Sequence, residues 1–171
     1  VCTGGTVAFG LGVGPAVPAS VKNVADFLQW AKANPAQASY GSPGAGSPPH
    51  FVAALLGKVS GTDLNHVPYR GSALAMNDLA GGSIAAAVSP VTEALELHKA
   101  GKVHIIATTG SVRSSFVPEV PTFKELGIPL EVPLWFAVYG PAGIPGDAVQ
   151  RLRSAIDKGF GTPDATQRLA K

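Results

Sequence analysis

The feature that most constrains the fold of this chain is a regular alternation of short β-rich runs with helical segments. Predicted strands cover residues 38–40, 65–69, 84–88, 103–108 and 134–139, and predicted helices cover 20–33, 48–59, 73–80, 90–100 and a stretch from about 147. This order is typical of a mostly parallel sheet with helices on its faces. With 46% hydrophobic residues the chain can bury a core, and its 171 residues suit one domain, or one domain plus part of another. The sequence therefore predicts an α/β fold.

Three helix starts carry recognisable signals. Ser20 is predicted to cap the first helix, and Pro48 occupies the first helical position of the second, where its missing N–H costs nothing. Thr122 and Glu125 form a predicted capping box that opens a short helix ending at Gly127.

Composition and motif spacing exclude several classes of function. Thirteen basic and eleven acidic residues leave a net charge of +2 without charge runs, so nothing indicates a nucleic-acid partner. A single cysteine supports neither a disulfide framework nor a metal site, and no metal or cofactor is predicted. No apolar run reaches the roughly 18 residues that a membrane-spanning helix needs.

The two ends of the sequence resemble interior segments. The first residues have neither an initiator Met nor the charged start of a signal peptide, and the last helical pattern stops without a C-cap signal. We therefore expect that both ends of a longer chain have been cut.

The fold class also predicts where a ligand binds. In a parallel sheet the strand-to-helix turns lie at one edge, and ligands bind outside the carboxyl ends of the strands. This rule selects residues 41–50, 68–72 and 89–91.

The first of these turns is rich in small residues and leads into a helix. Its backbone N–H groups can approach an anion at the positive end of that helix, which predicts ligand contacts from Ser42, Gly44, Ala45, Gly46 and Ser47. The phosphate fingerprints fail, because Ser47 stands where a P-loop needs Lys and Pro49 where the dinucleotide pattern needs Gly. A carboxylate fits better than a nucleotide, and the alternative is a tight turn with no ligand.

The second and third turns add polar and aromatic groups. Tyr69, Gly71 and Ser72 are predicted to contact a polar organic acid, and Ser89 extends the site at the third turn. For Arg70, ligand contact and simple solvation both stay open.

No catalytic or metal constellation is predicted. The four histidines show no metal-binding spacing, no nucleophile elbow is present, and the acidic residues are expected to be solvated on helix faces or loops. His50, in the first turn of the second helix, either donates to a ligand or has a capping or packing role. Trp30 and Trp135 fall in apolar elements and are expected to pack in a core or at a hinge.

Four segments carry a resemblance to a known family. They are residues 40–47 (YGSPGAGS), 66–71 (HVPYRG), 118–122 (PEVPT) and 140–145 (GPAGIP). In this order and spacing they resemble the Bug family, the solute-binding receptors of tripartite tricarboxylate transporters, over nearly the whole chain.

The resemblance implies a periplasmic two-lobed flytrap that captures a small carboxylated solute for membrane transporter subunits. By position, residues 1–14 would be a crossing strand from the first lobe, residues 15–132 the second lobe, and residues 133–171 a return crossing strand with part of the first lobe. The chain departs from the family pattern at Ala137, where a glycine is usual, and at Pro48 and Pro49, where small polar residues are common.

The leading functional hypothesis is solute capture without chemistry. The alternatives are a folded scaffold or assembly module that binds nothing, and an α/β enzyme. The sequence also predicts self-association through the crossing strands, with Trp135 and Phe136 buried between chains, because an apolar strand with free backbone groups is a template for pairing.

Overall fold

The computed structural model describes residues 2–132, 134–162 and 165. They fall into two compact units, one within residues 8–132 and one that combines residues 2–7 with the described residues from 134 onward. In chain order the elements are β1 (Cys2–Val7), β2 (Phe9–Val13), α1 (Val24–Ala33), β3 (Ser39–Ser42), α2 (Pro48–Ser60), β4 (Asn65–Pro68), α3 (Ser72–Ala80), β5 (Ala86–Pro90), α4 (Val91–Lys99), β6 (His104–Thr108), β7 (Leu134–Val138) and α5 (Gly146–Phe160).

The larger unit is built on a five-stranded sheet with the order β4-β3-β5-β2-β6. Strand β3 is parallel to β4 and β5, whereas β2 is antiparallel to both β5 and β6. Four strands therefore point the same way and only β2 opposes them, which confirms the predicted α/β fold with a mostly parallel sheet.

Helices α2 and α3 cover opposite faces of this sheet. Tyr40 and Gly41 are consecutive in β3, so their side-chain positions face opposite sides. The Tyr40 ring stacks on His50 of α2, whereas a Cβ on Gly41 would lie 3.3 Å from Ala75 of α3. The same Cβ would lie 2.7 Å from Ile84, so the close approach of these groups requires glycine at this position.

An apolar core lies between the sheet and helices α3 and α4. Its buried members come from both helices, from β5 and β6, from the residues just before these two strands, and from the loop that follows β6: Met76, Leu79, Ile84, Ala87, Val91, Ala94, Leu95, Val103, Ile105, Val117 and Val120. None of the described helices is both long and apolar enough to span a bilayer.

Two predicted helix starts differ from the structure. Helix α1 begins at Val24 rather than near Ser20, because Asn23 is extended and its side chain accepts the N–H of Asp26 at 2.9 Å. At Thr122 the hydroxyl does accept the N–H of Glu125 at 3.1 Å, but the segment forms turns rather than a helix. The Glu125 carboxylate is held by Arg113, at 2.7 and 2.9 Å, which ties this segment to the loop after β6.

The smaller unit pairs β1 antiparallel with β7, from Cys2 opposite Val138 to Val7 opposite Leu134. Helix α5 is the third element of this unit, and none of its residues is buried. The division between the units falls after Val7, so that β2 belongs to the five-stranded sheet of the larger unit.

Candidate functional site: a turn at the carboxyl edge of the sheet

The three segments selected by the edge rule lie at the carboxyl ends of three adjacent strands. The turn at residues 42–47 follows β3, residues 69–72 follow β4, and Ser89 lies near the end of β5. Because β4, β3 and β5 are neighbours and parallel, their carboxyl ends meet at one edge of the sheet. The structure thus brings the backbone of the first two predicted segments together.

The turn after β3 is organised around the carbonyl oxygen of Gly44. This oxygen accepts from Ser42 Oγ at 3.1 Å, from Ser47 Oγ at 2.6 Å and from the Ser47 N–H at 3.3 Å. Ser42 is fully buried. Both serine hydroxyls are therefore used within the turn, so a ligand that took a bond from either one would have to displace the bond to Gly44.

The backbone donors of this turn differ in availability. The N–H groups of Gly44 and Ala45 have no hydrogen-bond partner in the described part of the chain. The Gly46 N–H donates to His50 Nδ1 at 3.0 Å. Pro48 and Pro49, the first two residues of α2, have no N–H to offer. Backbone donors for an anion therefore come from the turn itself more than from the start of the helix.

Backbone hydrogen bonds connect the turn after β4 to the turn after β3. The Tyr69 N–H donates to the carbonyl of Ser42 at 2.9 Å, and the Gly71 N–H donates to the carbonyl of Pro43 at 3.1 Å. Gly71 has a φ of 109°, which a residue with a side chain rarely adopts. Arg70 is exposed and has no hydrogen-bond or ion-pair partner among the described residues. It is a free cation beside the two turns.

The hydroxyl of Tyr69 donates to Asp78 of α3 at 2.7 Å. Burial, the hydrogen bond to Asp78 and the negative charge of Asp78 raise the pKa of Tyr69 to about 12. A ligand can therefore use the Tyr69 ring or the lone pairs of its oxygen, but not its proton. Asp78 was expected from the sequence to be solvated, and this expectation was wrong.

The serines of the second and third turns are buried. Ser72, the first residue of α3, is only 7% exposed. Ser89 is fully buried inside β5, where its hydroxyl lies 3.3 Å from the carbonyl of Pro90 and 3.8 Å from the Met76 sulfur. The side chain of Ser89 is thus directed toward α3.

A stack of aromatic rings lies beside the first turn, and it was not predicted from the sequence. The rings of His50 and His66 lie 4.0 Å apart, and those of Tyr40 and His66 lie 4.9 Å apart. The stack forms because β3 and β4 pair in register, with Tyr40 opposite His66. No local sequence signal could have revealed it, because the register of two parallel strands is not a local property.

The stack connects the turn to a shallow cleft. His66 Nε2 lies 2.8 Å from Ser42 Oγ, and burial together with the neighbouring His50 lowers the pKa of His66. The cleft, of about 450 Å³, runs along α2. Its lining includes Lys58 and Asp63 beside the stacked rings.

A metal site is not formed by the part of the chain that the structure describes. In that part, no group of three His, Cys, Asp or Glu residues is placed to hold an ion. What the arrangement offers is a pair of free N–H groups, a nearby Arg and a histidine, which together suit an anionic ligand.

The fold and this edge define a class of protein, an α/β lobe with a glycine- and serine-rich turn at the carboxyl ends of its strands. The family model described as the tripartite tricarboxylate transporter family receptor, TctC, matches residues 3–171. This chain belongs to that family.

Two relatives illustrate how much of the family is present. A protein of Cupriavidus necator, the "UPF0065 protein in gbd 5'region", is 34% identical over 95% of this chain and 50% of its own length. Protein BugT of Bordetella pertussis is 32% identical over 81% of this chain and 43% of its own length. The chain spans about half the length of the curated relatives that it matches.

Solved structures agree with the family assignment. The R. palustris protein Rpa4515 with adipate has a TM-score of 0.86 at 30% identity, covering 99% of this chain and 56% of the other. MatC from Rhodopseudomonas palustris, with bound malate, has a TM-score of 0.81 at 25% identity, covering 98% and 56%. The periplasmic binding protein BugD has a TM-score of 0.83 at 27% identity, covering 96% and 55%. The predicted resemblance to the Bug family is confirmed.

Proposed function

We propose that this chain carries the part of a periplasmic solute receptor that holds a carboxylate at the turn of residues 42–47. The proposal rests on one observation above all: the free N–H groups of Gly44 and Ala45 lie at the carboxyl edge of the sheet in a member of the TctC family. Relatives of the same fold have been solved with adipate and with malate, which are both small dicarboxylates.

The surroundings of the turn support an acidic ligand. Arg70 carries a charge that no described acid neutralises, and it directly precedes Gly71, whose N–H is bonded to the turn. A carboxylate at this place would accept from backbone N–H groups and be attracted by the guanidinium. We infer that a membrane transporter is the partner that receives the solute.

Binding without chemistry is the function that the geometry favours. The contact of Ser42 Oγ with His66 Nε2 is the hydroxyl–imidazole pair that would suggest a nucleophile. However, Ser42 is fully buried, and its hydroxyl also bonds to the carbonyl of Gly44. A substrate cannot reach this oxygen, so we assign the pair a structural role in holding the turn.

We further propose that the chain associates with itself through the smaller unit. Trp135 is 51% exposed, and Tyr139 is 76% exposed. Val138 and, in α5, Leu152 and Phe160 are also exposed. Burying such a surface recovers about 25 cal/mol for each Å² of apolar area, and a two-fold dimer is the simplest closed arrangement. The side chain of Phe136, which was predicted to lie in the same contact, is outside the part of the chain that the structure describes.

Isothermal titration calorimetry with adipate and malate tests the proposed binding site. Ala45→Asp places a negative charge on an exposed position of the turn and should weaken binding at least about tenfold, through like-charge repulsion. Ala36→Asp is the matched control, because Ala36 is also exposed but precedes β3, at the opposite edge of the sheet. Equal affinities of the two variants would contradict the site, and no heat with the unchanged chain would contradict the function.

A further inference from the structure

The inference concerns His50, the third residue of α2, and rests on the proposed carboxylate site. His50 Nδ1 accepts the N–H of Gly46, the third consecutive donor of the turn after Gly44 and Ala45. A ring nitrogen that accepts an N–H carries a lone pair, so the bonded ring is neutral with its proton on Nε2. The bond thus exists only in the neutral state of His50.

The ring of His50 therefore occupies the position at the Gly46 N–H that an anion would otherwise take. Gly44 and Ala45 have free N–H groups, whereas the Gly46 N–H is occupied by a neutral acceptor from the protein itself. A carboxylate is a stronger acceptor than a neutral imidazole because its charge assists the hydrogen bond. The exposed setting of the Gly46–His50 bond leaves room for the exchange.

We propose that the ligand carboxylate replaces His50 at the Gly46 N–H, and that binding is coupled to protonation of the displaced imidazole. Protonation removes the lone pair that holds Gly46 and turns the ring into a donor with a positive charge beside the ligand. Both effects favour the bound state, so affinity rises as the pH falls. His50 is thereby a positioning residue that sets the ligand preference and the pH dependence of this turn.

Titratable and charged groups on the neighbouring elements influence the protonation of His50. His66 of β4 stacks on His50 at 4.0 Å, and Tyr40 of β3 lies at 6.5 Å between ring centres. Lys58 and Asp63 line the cleft next to the rings. Two adjacent imidazoles resist carrying a charge together, and burial and the neighbouring His50 lower the pKa of His66, which disfavours His66 as the carrier of the proton.

The test measures the dissociation constants of adipate and malate by calorimetry between pH 6 and pH 8, a range in which ligand carboxylates stay ionised. The unchanged chain should bind at least about fivefold more tightly at pH 6 than at pH 8. One coupled proton changes affinity by at most about tenfold per pH unit, so the upper limit over this range is about a hundredfold. His50→Gln keeps an acceptor for Gly46 but cannot titrate, so its affinity should change by less than about twofold. His104→Gln, at the exposed amino end of β6, is the control and should behave as the unchanged chain.

A second readout requires no ligand and no variant. In the ligand-free chain the amide resonance of Gly46 should shift with the same midpoint as the ring resonances of His50, because protonation breaks their hydrogen bond. An amide that does not follow the ring would overturn the inference.

The outcomes of the titrations separate the inference from the proposed function. Binding of equal strength at pH 6 and pH 8, or binding that weakens as the pH falls, would overturn the inference and leave the carboxylate site standing. An unchanged pH dependence in His50→Gln would overturn it as well. No heat from either acid at any pH would contradict the proposed function, and the inference would fall with it.

Discussion

Helices α2 and α5 are of similar length but differ in how much they bury. Helix α2, with 13 residues, buries Pro49, Val52, Ala53, Leu56 and Gly57. Helix α5, with 15 residues and its apolar positions on one side, buries none. The same contrast holds for the strands, because β2 is buried at all five positions, whereas Trp135 of β7 is 51% exposed.

The two units therefore depend on different contacts for their stability. Residues 8–132 contain a sheet, helices and a shared core, so this part can fold on its own interactions. The smaller unit exposes Val138, Tyr139, Leu152 and Phe160, so these apolar side chains contribute little to the packing within that unit.

The largest expected effect comes from removing a buried ring of the larger unit. Phe27 is fully buried, and Phe27→Ala should lower the free energy of unfolding by about 3–5 kcal/mol through lost apolar contact and a cavity. Trp135→Ala, in the smaller unit, should cost about 1 kcal/mol or less. Urea denaturation followed by circular dichroism measures both. Equal losses of unfolding free energy in the two variants would contradict the proposed difference between the units.

The exposed apolar surface of the smaller unit should control self-association. Trp135→Glu should weaken association about tenfold, which corresponds to about 1.4 kcal/mol, because a charge would then have to be buried in the contact. Sedimentation velocity over a range of concentrations measures it. Val112→Glu is a control at a 75% exposed apolar position of the larger unit. If the unchanged chain is a monomer at every concentration, the proposed contact does not exist.

A smaller effect tests the observed start of α1. Asn23→Ala removes the acceptor of the Asp26 N–H and should cost about 1 kcal/mol of unfolding free energy. Ser20→Ala, at the position that the sequence favoured as the cap, should leave stability within about 0.5 kcal/mol. Thermal or urea unfolding distinguishes them, and a larger loss at position 20 would mean that the cap lies there.

The smallest effect concerns alkaline pH and the bond between Tyr69 and Asp78. The pKa of Tyr69 is raised to about 12 in the folded chain, so the folded state keeps a proton that the unfolded state loses above about pH 10. The stabilisation is complete below pH 10 and is lost as the pH rises toward 12. Unfolding curves at pH 9 and pH 11 should differ less for Tyr69→Phe than for the unchanged chain. An equal difference would argue against the bond; burial also raises the pKa of Tyr40, which affects both proteins alike.

The fold was predictable because its signals are local and repeated. Alternating strand and helix patterns gave the order of elements, and the edge rule pointed to the turns after β3 and β4, which the structure brings together. The start of α1 was predicted wrongly because Ser20 and Asn23, three residues apart, are both good N-cap residues. Only the extended backbone conformation of Asn23 shows that the helix begins after it.

The side chains around the site were less predictable because their contacts join distant segments. Tyr69 meets Asp78 across the start of α3, and Tyr40 meets His66 because of the register of two parallel strands. Neither pair has a characteristic spacing in the sequence. Ser89 was proposed as a ligand contact from its place at a strand end, but the twofold alternation of β5 directs its hydroxyl toward Met76.

The most direct test of the central claim is to map a bound dicarboxylate by the amide resonances of isotope-labelled protein during titration with adipate. The account predicts that the amides of Gly44, Ala45 and Gly46 shift with saturating behaviour, while those of Ala36 and Gln37, at the opposite edge of the sheet, do not move. Saturable shifts confined to other parts of the chain, with these three amides unchanged, would contradict it.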